Sequence, residues 1–310
     1  MKTPRISIIG AGNVGASLGQ RLIEKDLADI VLIDIVDGLP QGKALDIAES
    51  APILGFNHRI SGSTDYSDSA DSEVVVITSG IARKPGMTRE DLIRINSSIV
   101  SGVVKEVVRY SPNCVIIVVA NPVDAMTWVA YKASGLARQR VLGLSGVLDS
   151  ARLATFIALE TNCSVKDVSC YVLGEHGSSM VVFPRLATVN GKPITALLPA
   201  EKISALVTRT VNGGAEIVGL LKNSSAFYAP SAAVVRMTEA IIQNQDKLLP
   251  CAAVLNGEYN LREVVIGVPV KLGRDGIKEI VNLDLTPDEL AILASSAETV
   301  RKQIGSITLE

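Results

Sequence analysis

The hydrophobic positions in the first half of the chain form short apolar runs that alternate with stretches of helical spacing. Runs rich in Ile, Val and Leu predict strands at 6–9, 30–33, 74–77 and 114–119. Such runs are typical of strands that a parallel sheet buries on both faces. Between them, apolar residues recur every three or four positions, as at Val14, Leu18 and Leu22 and from 92 to 107. This alternation predicts right-handed βαβ units and a doubly wound parallel sheet.

The pattern changes after Gly146. Helices are predicted at 151–160, 202–221, 231–243 and 287–303, and shorter strands at 168–173, 180–183, 254–259 and 264–271. We therefore expect an α/β protein in which residues 1–145 carry the doubly wound sheet and residues 146–310 form an α+β substrate domain. No stretch rich in Gly, Ser and Pro separates the two domains, so we expect them to share an interface, where ligand pockets tend to form.

Composition argues against several classes of function. The net charge is −2, with 20% charged residues, whereas a nucleic-acid partner would favour a strongly basic surface. No apolar run reaches the ~18–20 residues of a membrane span, and the N-terminus lacks the pattern of a signal peptide, so we expect a complete cytoplasmic protein with no membrane partner. The four cysteines include no CxxC pair and only two histidines accompany them, so we expect reduced core thiols and no metal site.

A glycine-rich turn follows the first predicted strand and opens the first predicted helix. It reads Gly10-Ala11-Gly12-Asn13-Val14-Gly15, the G-x-G-x-x-G pattern of Rossmann dinucleotide-binding domains. The glycines allow a tight turn, a close approach of the backbone to a pyrophosphate, and close packing of helix on strand. Asp34 ends the second strand, where a carboxylate can accept hydrogen bonds from a ribose diol and repel the 2′-phosphate of NADP. The sequence therefore predicts NAD as cofactor, the alternative being a structural turn followed by an exposed aspartate.

Two histidines are available for proton transfer near neutral pH. His58 lies in a polar connector and is interpreted as an exposed loop residue. His176 lies between glycines in Gly174-Glu175-His176-Gly177, just after a predicted strand. Flanking glycines permit an unusual backbone path close to a ligand. A loop histidine alone is more often a surface residue than a catalyst, so the surrounding motifs must decide.

Taken in order, the motifs of the chain resemble those of the malate/lactate dehydrogenase family, and most closely its lactate-dehydrogenase-like malate branch. The resemblance covers essentially the whole chain. It is carried by the glycine-rich turn, by Asp34, and by four further segments: Arg83-Lys84-Pro85-Gly86-Met87-Thr88-Arg89, Asn121-Pro122-Val123-Asp124, Leu148-Asp149-Ser150-Ala151-Arg152 and Gly174-Glu175-His176-Gly177. Ser178 and Ala120 depart from residues that are frequent in the family, which leaves fine details of loop hydrogen bonding open.

The resemblance implies reversible, NAD-dependent oxidation of (S)-malate to oxaloacetate, a step of the tricarboxylic acid cycle. It assigns His176 as the proton acceptor and donor, and Asp149 as the carboxylate that orients it. It assigns substrate binding to Arg83, Arg89, Asn121 and Arg152. It assigns cofactor contacts to Gly10, Ala11, Gly12, Asn13, Val14, Gly15, Asp34, Asn96, Val119, Ala120 and Asn121. It also implies a cis bond between Asn121 and Pro122, which would direct Asn121 into the cleft.

Arg83 decides the expected substrate. A guanidinium can grip the second carboxylate of malate with two hydrogen bonds, whereas the methyl group of lactate would leave it buried and unpaired. L-lactate dehydrogenase is therefore the rival activity, and a non-catalytic NAD-binding sensor is the rival of another class. Two local alternatives also stay open: a surface salt bridge between Asp149 and Arg152, and a solvated basic loop at 80–89 in place of a lid. The family resemblance favours a homotetramer over a dimer.

Overall fold

The structure is a computed structural model, and it describes residues 3–82 and 86–308. The first half of the chain alternates strands and helices as its apolar runs predict. Its elements are β1 (Arg5–Ile9), α1 (Asn13–Glu24), β2 (Asp29–Ile33), α2 (Leu39–Glu49), α3 (Ala51–Leu54), β3 (Ile60–Ser63), β4 (Val74–Ile77), α4 (Arg89–Tyr110), β5 (Val115–Val118), α5 (Val123–Ser134) and β6 (Val141–Gly143).

The second half mixes long helices with short and long strands. Its elements are α6 (Gly146–Thr161), β7 (Val168–Ser169), β8 (Val172–Gly174), β9 (Met180–Val182), β10 (Thr188–Val189), β11 (Lys192–Pro193), α7 (Ala200–Leu221), α8 (Tyr228–Ile242), β12 (Lys247–Asn256), β13 (Arg262–Gly273), β14 (Gly276–Ile280) and α9 (Pro287–Gly305).

Within the described residues, eleven strands form one sheet in the order β3-β2-β1-β4-β5-β6-β12-β13-β8-β9, with β14 paired to β13. The strands from β3 to β6 run parallel. Their order reverses between β1 and β4, and ligands of such sheets bind outside the carboxyl ends of the strands at this point. The expected α/β class, a doubly wound sheet with a C-terminal α+β part, is confirmed.

The sheet does not stop at the end of the first half. Strand β12 pairs antiparallel with β6 through Ala252 with Gly143 and Ala253 with Leu142, and β13, β8 and β9 follow with antiparallel pairing. The sequence predicts two domains in contact, and the structure joins the two halves by main-chain hydrogen bonds within a single sheet.

Residues of the central strands point alternately to the two faces of the sheet, and each face has its own core. Ile117 of β5 packs in one core with Leu18 of α1. Its neighbour Ile116 packs in the other core with Val100 of α4. This explains why the strands of this region read as continuous apolar runs, since a helical layer covers each face.

Two long helices, α4 and α9, begin at side-chain caps that the sequence contains. Thr88 accepts from the Asp91 amide at 3.0 Å while Asp91 accepts from the Thr88 amide at 3.2 Å, a capping box that fixes the start of α4. Thr286 and Glu289 form the equivalent box at the start of α9. The first residue of α4 is Arg89, one of the residues expected to bind the substrate.

The predicted elements differ from the observed ones in a few places. Helix α6 begins at Gly146 instead of 151, and the segment 168–173 contains two strands, β7 and β8. The strand expected at 254–259 is β12, which begins at Lys247 and ends at Asn256. Pro250 lies inside that strand, paired with Pro269 of β13. The pairing of β12 with β6 involves only Ala252 and Ala253, so Pro250 pairs with β13 alone. Proline is tolerated where a strand lacks a neighbour on one side.

Candidate active site

A cleft of about 920 Å³ lies at the carboxyl ends of the parallel strands. Residues that follow β1, β4 and β5 form one wall, and residues from α6, α7 and the segment after β8 form the other. The lining residues that the argument uses are Asn13, Val14, Val119, Ala120, Asn121, Arg152 and His176. The cleft therefore brings the glycine-rich turn and the histidine motif together, although they lie far apart along the chain.

The three glycines of the turn have different physical roles. Gly10 has φ +105°, a conformation that side chains rarely adopt. A Cβ at Gly15 would lie 1.9 Å from the Gly10 carbonyl oxygen, so Gly15 is required by the close packing of α1 on the turn. A Cβ at Gly12 would meet nothing within 4 Å. Gly12 is the N-cap of α1, and no side chain among the described residues caps that end of the helix. The open space and uncapped amides fit a bound pyrophosphate.

Asp34 is anchored to this turn. Its Oδ2 accepts a hydrogen bond from the Ala11 amide at 2.7 Å, and its Oδ1 accepts one from the Val36 amide at 3.1 Å. Lys43 donates from Nζ to the Ala11 carbonyl oxygen at 2.6 Å. Asp34 therefore orders the turn, and its contact with a ribose stays a prediction. Lys43 is a further cation at this turn that the sequence analysis does not single out.

On the other side of the cleft, Asp149 links a histidine and an arginine. Asp149 Oδ2 lies 2.6 Å from His176 Nδ1, and Asp149 Oδ1 accepts from Arg152 Nη1 at 3.1 Å. Asp149 and Arg152 share a face of α6, as residues three apart in a helix do. The Asp149 side chain is 1% exposed and that of Arg152 is 14% exposed. The alternative interpretation of this pair as a surface salt bridge is therefore wrong.

The partner of Nδ1 determines what His176 can do. A carboxylate can only accept, so Nδ1 donates to Asp149 and Nε2 is the ring nitrogen left to exchange a proton. Burial alone would lower the pKa of the His176 imidazole, but the charge and hydrogen bond of Asp149, together with the charge of Asp124, hold this pKa above its usual value. His176 lines the cleft with its side chain 17% exposed, so it can meet a ligand there.

Two buried carboxyl groups beside His176 have no assigned role in the sequence analysis. The Asp124 carboxyl accepts from the His176 amide at 2.7 Å. Glu175 accepts from the Ser179 amide at 3.1 Å, from Gln303 Nε2 at 2.6 Å, and also from the Ser179 hydroxyl. Both acids belong to the motifs that carry the family resemblance, and that membership is the one signal that could have singled them out.

Arg89 is held by one of these acids. Its Nη2 lies 2.5 Å from Glu175 Oε1, and it is not among the residues that line the cleft. Burial alone would raise the pKa of Glu175, but hydrogen bonds from Ser179, Gln303 and Arg89 hold it below its usual value. Glu175 is therefore ionised at neutral pH and pairs with the guanidinium. Arg83, the residue expected to select the substrate, lies outside the described residues.

Asn121 and Asn96 meet at the floor of the cleft. The Asn121–Pro122 peptide bond is cis, as expected, and Asn121 lines the cleft. Asn96 is fully buried, donates from Nδ2 to the Asn121 carbonyl oxygen at 2.7 Å, and accepts from the Ile81 amide at 2.9 Å. These bonds show that Asn96 supports the main chain of Ile81 and Asn121 beside the cleft, and its expected contact with the cofactor stays a prediction.

Metal-binding groups and membrane-spanning helices are two further features of interest. In residues 3–82 and 86–308, no group of three His, Cys, Asp or Glu side chains comes together in a way that could hold a metal ion. No helix in the same ranges combines the length and the apolar character that a membrane-spanning segment needs.

Family models match nearly the whole chain. Residues 4–143 match the model of the lactate/malate dehydrogenase NAD-binding domain. Residues 146–309 match the model of the lactate/malate dehydrogenase α/β C-terminal domain. The chain belongs to the lactate/malate dehydrogenase family. This membership confirms the resemblance that the ordered motifs indicate, and it confirms NAD as the cofactor of the N-terminal half.

Individual members of the family are similar over their full length. The malate dehydrogenase of Dehalococcoides mccartyi is 60% identical over 306 residues, covering 99% of this chain and 100% of the relative. The malate dehydrogenase of Methanosarcina barkeri is 52% identical over 305 residues, covering 98% of this chain and 99% of the relative. The solved malate dehydrogenase of Salinibacter ruber superposes with a TM-score of 0.93 at 47% identity, covering 97% of each chain.

A lactate dehydrogenase has a closely similar backbone fold. The enzyme of Cryptosporidium parvum, solved with lactic acid and NAD, superposes with a TM-score of 0.95 at 36% identity, covering 98% of each chain. The fold is therefore shared by both activities, and the substrate must be argued from side chains.

Proposed function

We propose that this protein is an NAD-dependent malate dehydrogenase, which interconverts (S)-malate and oxaloacetate. The observation that carries the proposal is the cleft in which the His176–Asp149 pair and Arg152 face the glycine-rich turn. The relatives named malate dehydrogenase, at 52–60% identity, support the choice of substrate.

The cofactor site is assigned to the turn and the strand ends around it. The pyrophosphate would be held by Gly10, Ala11, Gly12, Asn13, Val14 and Gly15 with the N-terminus of α1, and the adenosine ribose by Asp34. Val119, Ala120 and Asn121 would bind the nicotinamide half. The bound cofactor supplies the two-electron redox chemistry of the reaction. Because Asp34 places a negative charge at the ribose, the site favours NAD over NADP.

His176 moves the proton. In the direction of oxidation, Nε2 accepts the hydroxyl proton of malate and the imidazole becomes an imidazolium, which the buried Asp149 carboxylate stabilises. In the direction of reduction, the same nitrogen returns the proton to the new hydroxyl group. Asp149 also fixes the ring with Nδ1 as donor, so the correct nitrogen faces the substrate.

Arg152 is proposed to bind the carboxylate next to the reacting carbon. Its guanidinium lines the cleft and is held at Nη1 by Asp149. Its Nε is buried and has no hydrogen-bond partner within the described residues. Asp149 accepts from only one of the five N–H groups of the guanidinium, and a charge-assisted bond to a substrate carboxylate can use others. Asn121 and Arg89 are proposed to complete the contacts around the reacting oxygen.

Selectivity for malate is assigned to Arg83. Pyruvate lacks the second carboxylate that Arg83 is proposed to bind, and a desolvated charge left without its partner costs about 3–5 kcal/mol. We therefore expect kcat/KM with NADH to be at least about a hundredfold higher for oxaloacetate than for pyruvate, from the same cost. Arg83→Gln should reduce this ratio, and Arg94→Gln, an exposed arginine on α4, serves as the matched control. A preference of the unmodified protein for pyruvate would identify a lactate dehydrogenase.

His176→Asn tests whether the protein is an enzyme or an NAD-binding sensor. The variant should bind NADH with unchanged affinity and lose about 10²–10⁴-fold in kcat, the usual contribution of a positioned acid or base. His58→Asn, which changes the other histidine, should leave kcat unaltered. Absence of turnover in the unmodified protein, with NADH binding intact, would support the sensor.

A homotetramer in the cytoplasm, acting in the tricarboxylic acid cycle, completes the proposal. Two sets of exposed apolar side chains lie in different parts of the sequence. Leu45, Ile53 and Leu54 are exposed by 62%, 84% and 56% on α2 and α3, and Leu159 and Val165 by 69% and 55% near the end of α6. Exposed apolar side chains of this kind are typical of protein interfaces, and a dimer of dimers requires two different interfaces. Sedimentation should give four chains, and Ile53→Glu should give a smaller species.

A further inference from the structure

A third acidic group belongs to the His176 site, although the reaction proposed above does not use it. Asp124 is the second residue of α5, and it is 1% exposed. Its Oδ2 accepts the backbone N–H of His176 at 2.7 Å. Its Oδ1 is also buried and has no hydrogen-bond partner within the described residues. One oxygen therefore holds the histidine in place and the other lacks a compensating bond.

The charges around Asp124 come from several elements. Asp149 approaches from α6, and Glu175 and His176 from the segment after β8. Arg152 pairs with Asp149 and Arg89 pairs with Glu175. With all three acids ionised and both arginines charged, the cluster is neutral overall only when His176 carries a proton. The proton on the imidazole and the proton on Asp124 are therefore coupled.

Burial changes the pKa of Asp124. Removal from water raises the pKa of Asp124 to about 7, while the N–H bond and the charge of His176 act in the opposite direction. In return, the charge of Asp124 is one of the causes that hold the pKa of the His176 imidazole above its usual value. Asp124 favours the imidazolium only in its ionised form.

We propose that Asp124 is a positioning residue for the proton acceptor: it fixes the backbone of His176 and its negative charge favours the protonated imidazole. The inference rests on the proposed function, in which His176 exchanges the proton of the substrate. Asp149 holds the ring from its Nδ1 side and Asp124 holds the main chain, so the imidazole is fixed at both ends.

Asp124→Asn separates the charge from the hydrogen bond, because an amide oxygen still accepts the His176 N–H. The matched control is Asp288→Asn, which makes the same change at the second residue of α9, an exposed helix start. The main readout is the NMR titration of the His176 ring in a His58→Gln background, where His176 is the one remaining histidine of the chain. This readout requires no turnover, so it stays informative if malate is not the substrate.

We expect Asp124→Asn to lower the pKa of His176 by about 1 unit, the usual effect of removing a nearby opposite charge. The falling limb of kcat/KM for oxaloacetate against pH should move to lower pH by the same amount, with NADH affinity unchanged. Asp124→Glu, which restores the charge, should move both back toward the unmodified values. Asp288→Asn should leave them unaltered. An unmoved His176 titration in Asp124→Asn would overturn the proposal and leave Asp124 a structural residue.

The His58→Gln protein alone gives a second measurement that does not depend on the folding of an Asp124 variant. If Asp124 and His176 share their titration, the His176 ring must titrate over a wider pH range than a single independent group, with a Hill slope below 1. A titration that follows one independent group would contradict the coupling.

Discussion

The guanidinium of Arg89 pairs at 2.5 Å with the carboxylate of Glu175, the neighbour of His176 along the chain. The carboxylate is 1% exposed and the Arg89 side chain is 45% exposed. This pair ties the first residue of α4 to the segment that carries the proton acceptor. The contact proposed above between Arg89 and the substrate therefore competes with Glu175 for the same guanidinium.

Glu175→Gln should destabilise the protein. Glu175 accepts from Arg89, from Gln303 and from two donors of Ser179, and an amide presents only one accepting atom. Leaving buried donors unpaired costs about 1–3 kcal/mol, or more at charged groups. Urea unfolding at pH 7 measures the loss, with Glu90→Gln on the exposed side of α4 as control. A loss no larger than that of the control would show that the Glu175 network contributes little.

The same substitution has a pH signature. The pKa of Glu175 is lowered in the folded protein, so the stabilisation is present above the unfolded pKa and is lost as pH falls through the folded pKa. The stability difference between Glu175→Gln and the unmodified protein should therefore shrink on acidification below pH of about 4, near the unfolded pKa of glutamate. A difference that stays constant would mean that packing, and not charge, causes it.

Proton transfer by His176 predicts opposite pH dependences for the two directions. Malate oxidation needs the neutral imidazole, so its kcat/KM rises with pH through the pKa of His176. Oxaloacetate reduction needs the imidazolium, so its kcat/KM falls over the same range. Because Asp149 holds this pKa above its usual value, Asp149→Asn should move both limbs to lower pH and lower kcat by about tenfold or more. If the pH dependence of kcat/KM is unchanged in Asp149→Asn, Asp149 does not set the pKa of His176.

Asp34 is expected to set the preference for NAD. Asp34→Asn keeps an oxygen that can accept from the Ala11 amide but removes the charge, so the turn should survive while repulsion of the NADP phosphate is lost. The ratio of kcat/KM for NADH to that for NADPH should fall by at least about tenfold, equivalent to the roughly 1.4 kcal/mol of one charged contact. Asp37→Asn, a nearby exposed carboxylate, is the control. An unchanged ratio would place the discrimination elsewhere.

Two alanine substitutions in one turn separate packing from binding. Gly15→Ala forces a Cβ against the Gly10 carbonyl oxygen, so it should lower the free energy of unfolding by about 1–3 kcal/mol. Gly12→Ala meets nothing within 4 Å and leaves stability nearly unchanged, but its methyl group lies where the pyrophosphate must approach, so NADH affinity should fall. Thermal unfolding and fluorescence titration with NADH measure the two effects. Equal stability loss in both variants would contradict the distinction.

The sequence predicts the strands and helices whose burial gives a regular pattern of apolar residues. Strands β4 and β5 are buried on both faces and read as unbroken apolar runs. Strand β3 was not predicted, because its Ile60-Ser61-Gly62-Ser63 segment has no apolar run. Its place is set by pairing with β2, and Gly62 is packed so closely against Pro40 that a Cβ there would lie 2.1 Å from the Pro40 backbone. Such contacts between distant segments leave no local periodicity.

The site was predictable where ordered motifs carry it and not where the contacts are tertiary. His176, Asp149 and Arg152 follow from motifs at family-like separations, and the structure brings them together. The bond from Gln303 of α9 to Glu175 crosses 128 positions of the chain, and nothing in the local sequence of α9 indicates it. The sequence also does not indicate that Arg89 pairs with Glu175, because the choice between several acids depends on burial and on competing donors.

The pairing of β12 with β6 has a consequence for how a substrate enters. Hydrogen bonds of Ala252 and Ala253 with Leu142 and Gly143 join the parallel strands to the antiparallel ones. The glycine-rich turn and the segment with His176 therefore follow strands of one sheet. Main-chain bonds in the middle of a buried sheet are among the last to open in a folded protein. We therefore do not expect the two halves to separate as rigid bodies when a substrate enters the cleft, because that motion would break these main-chain bonds.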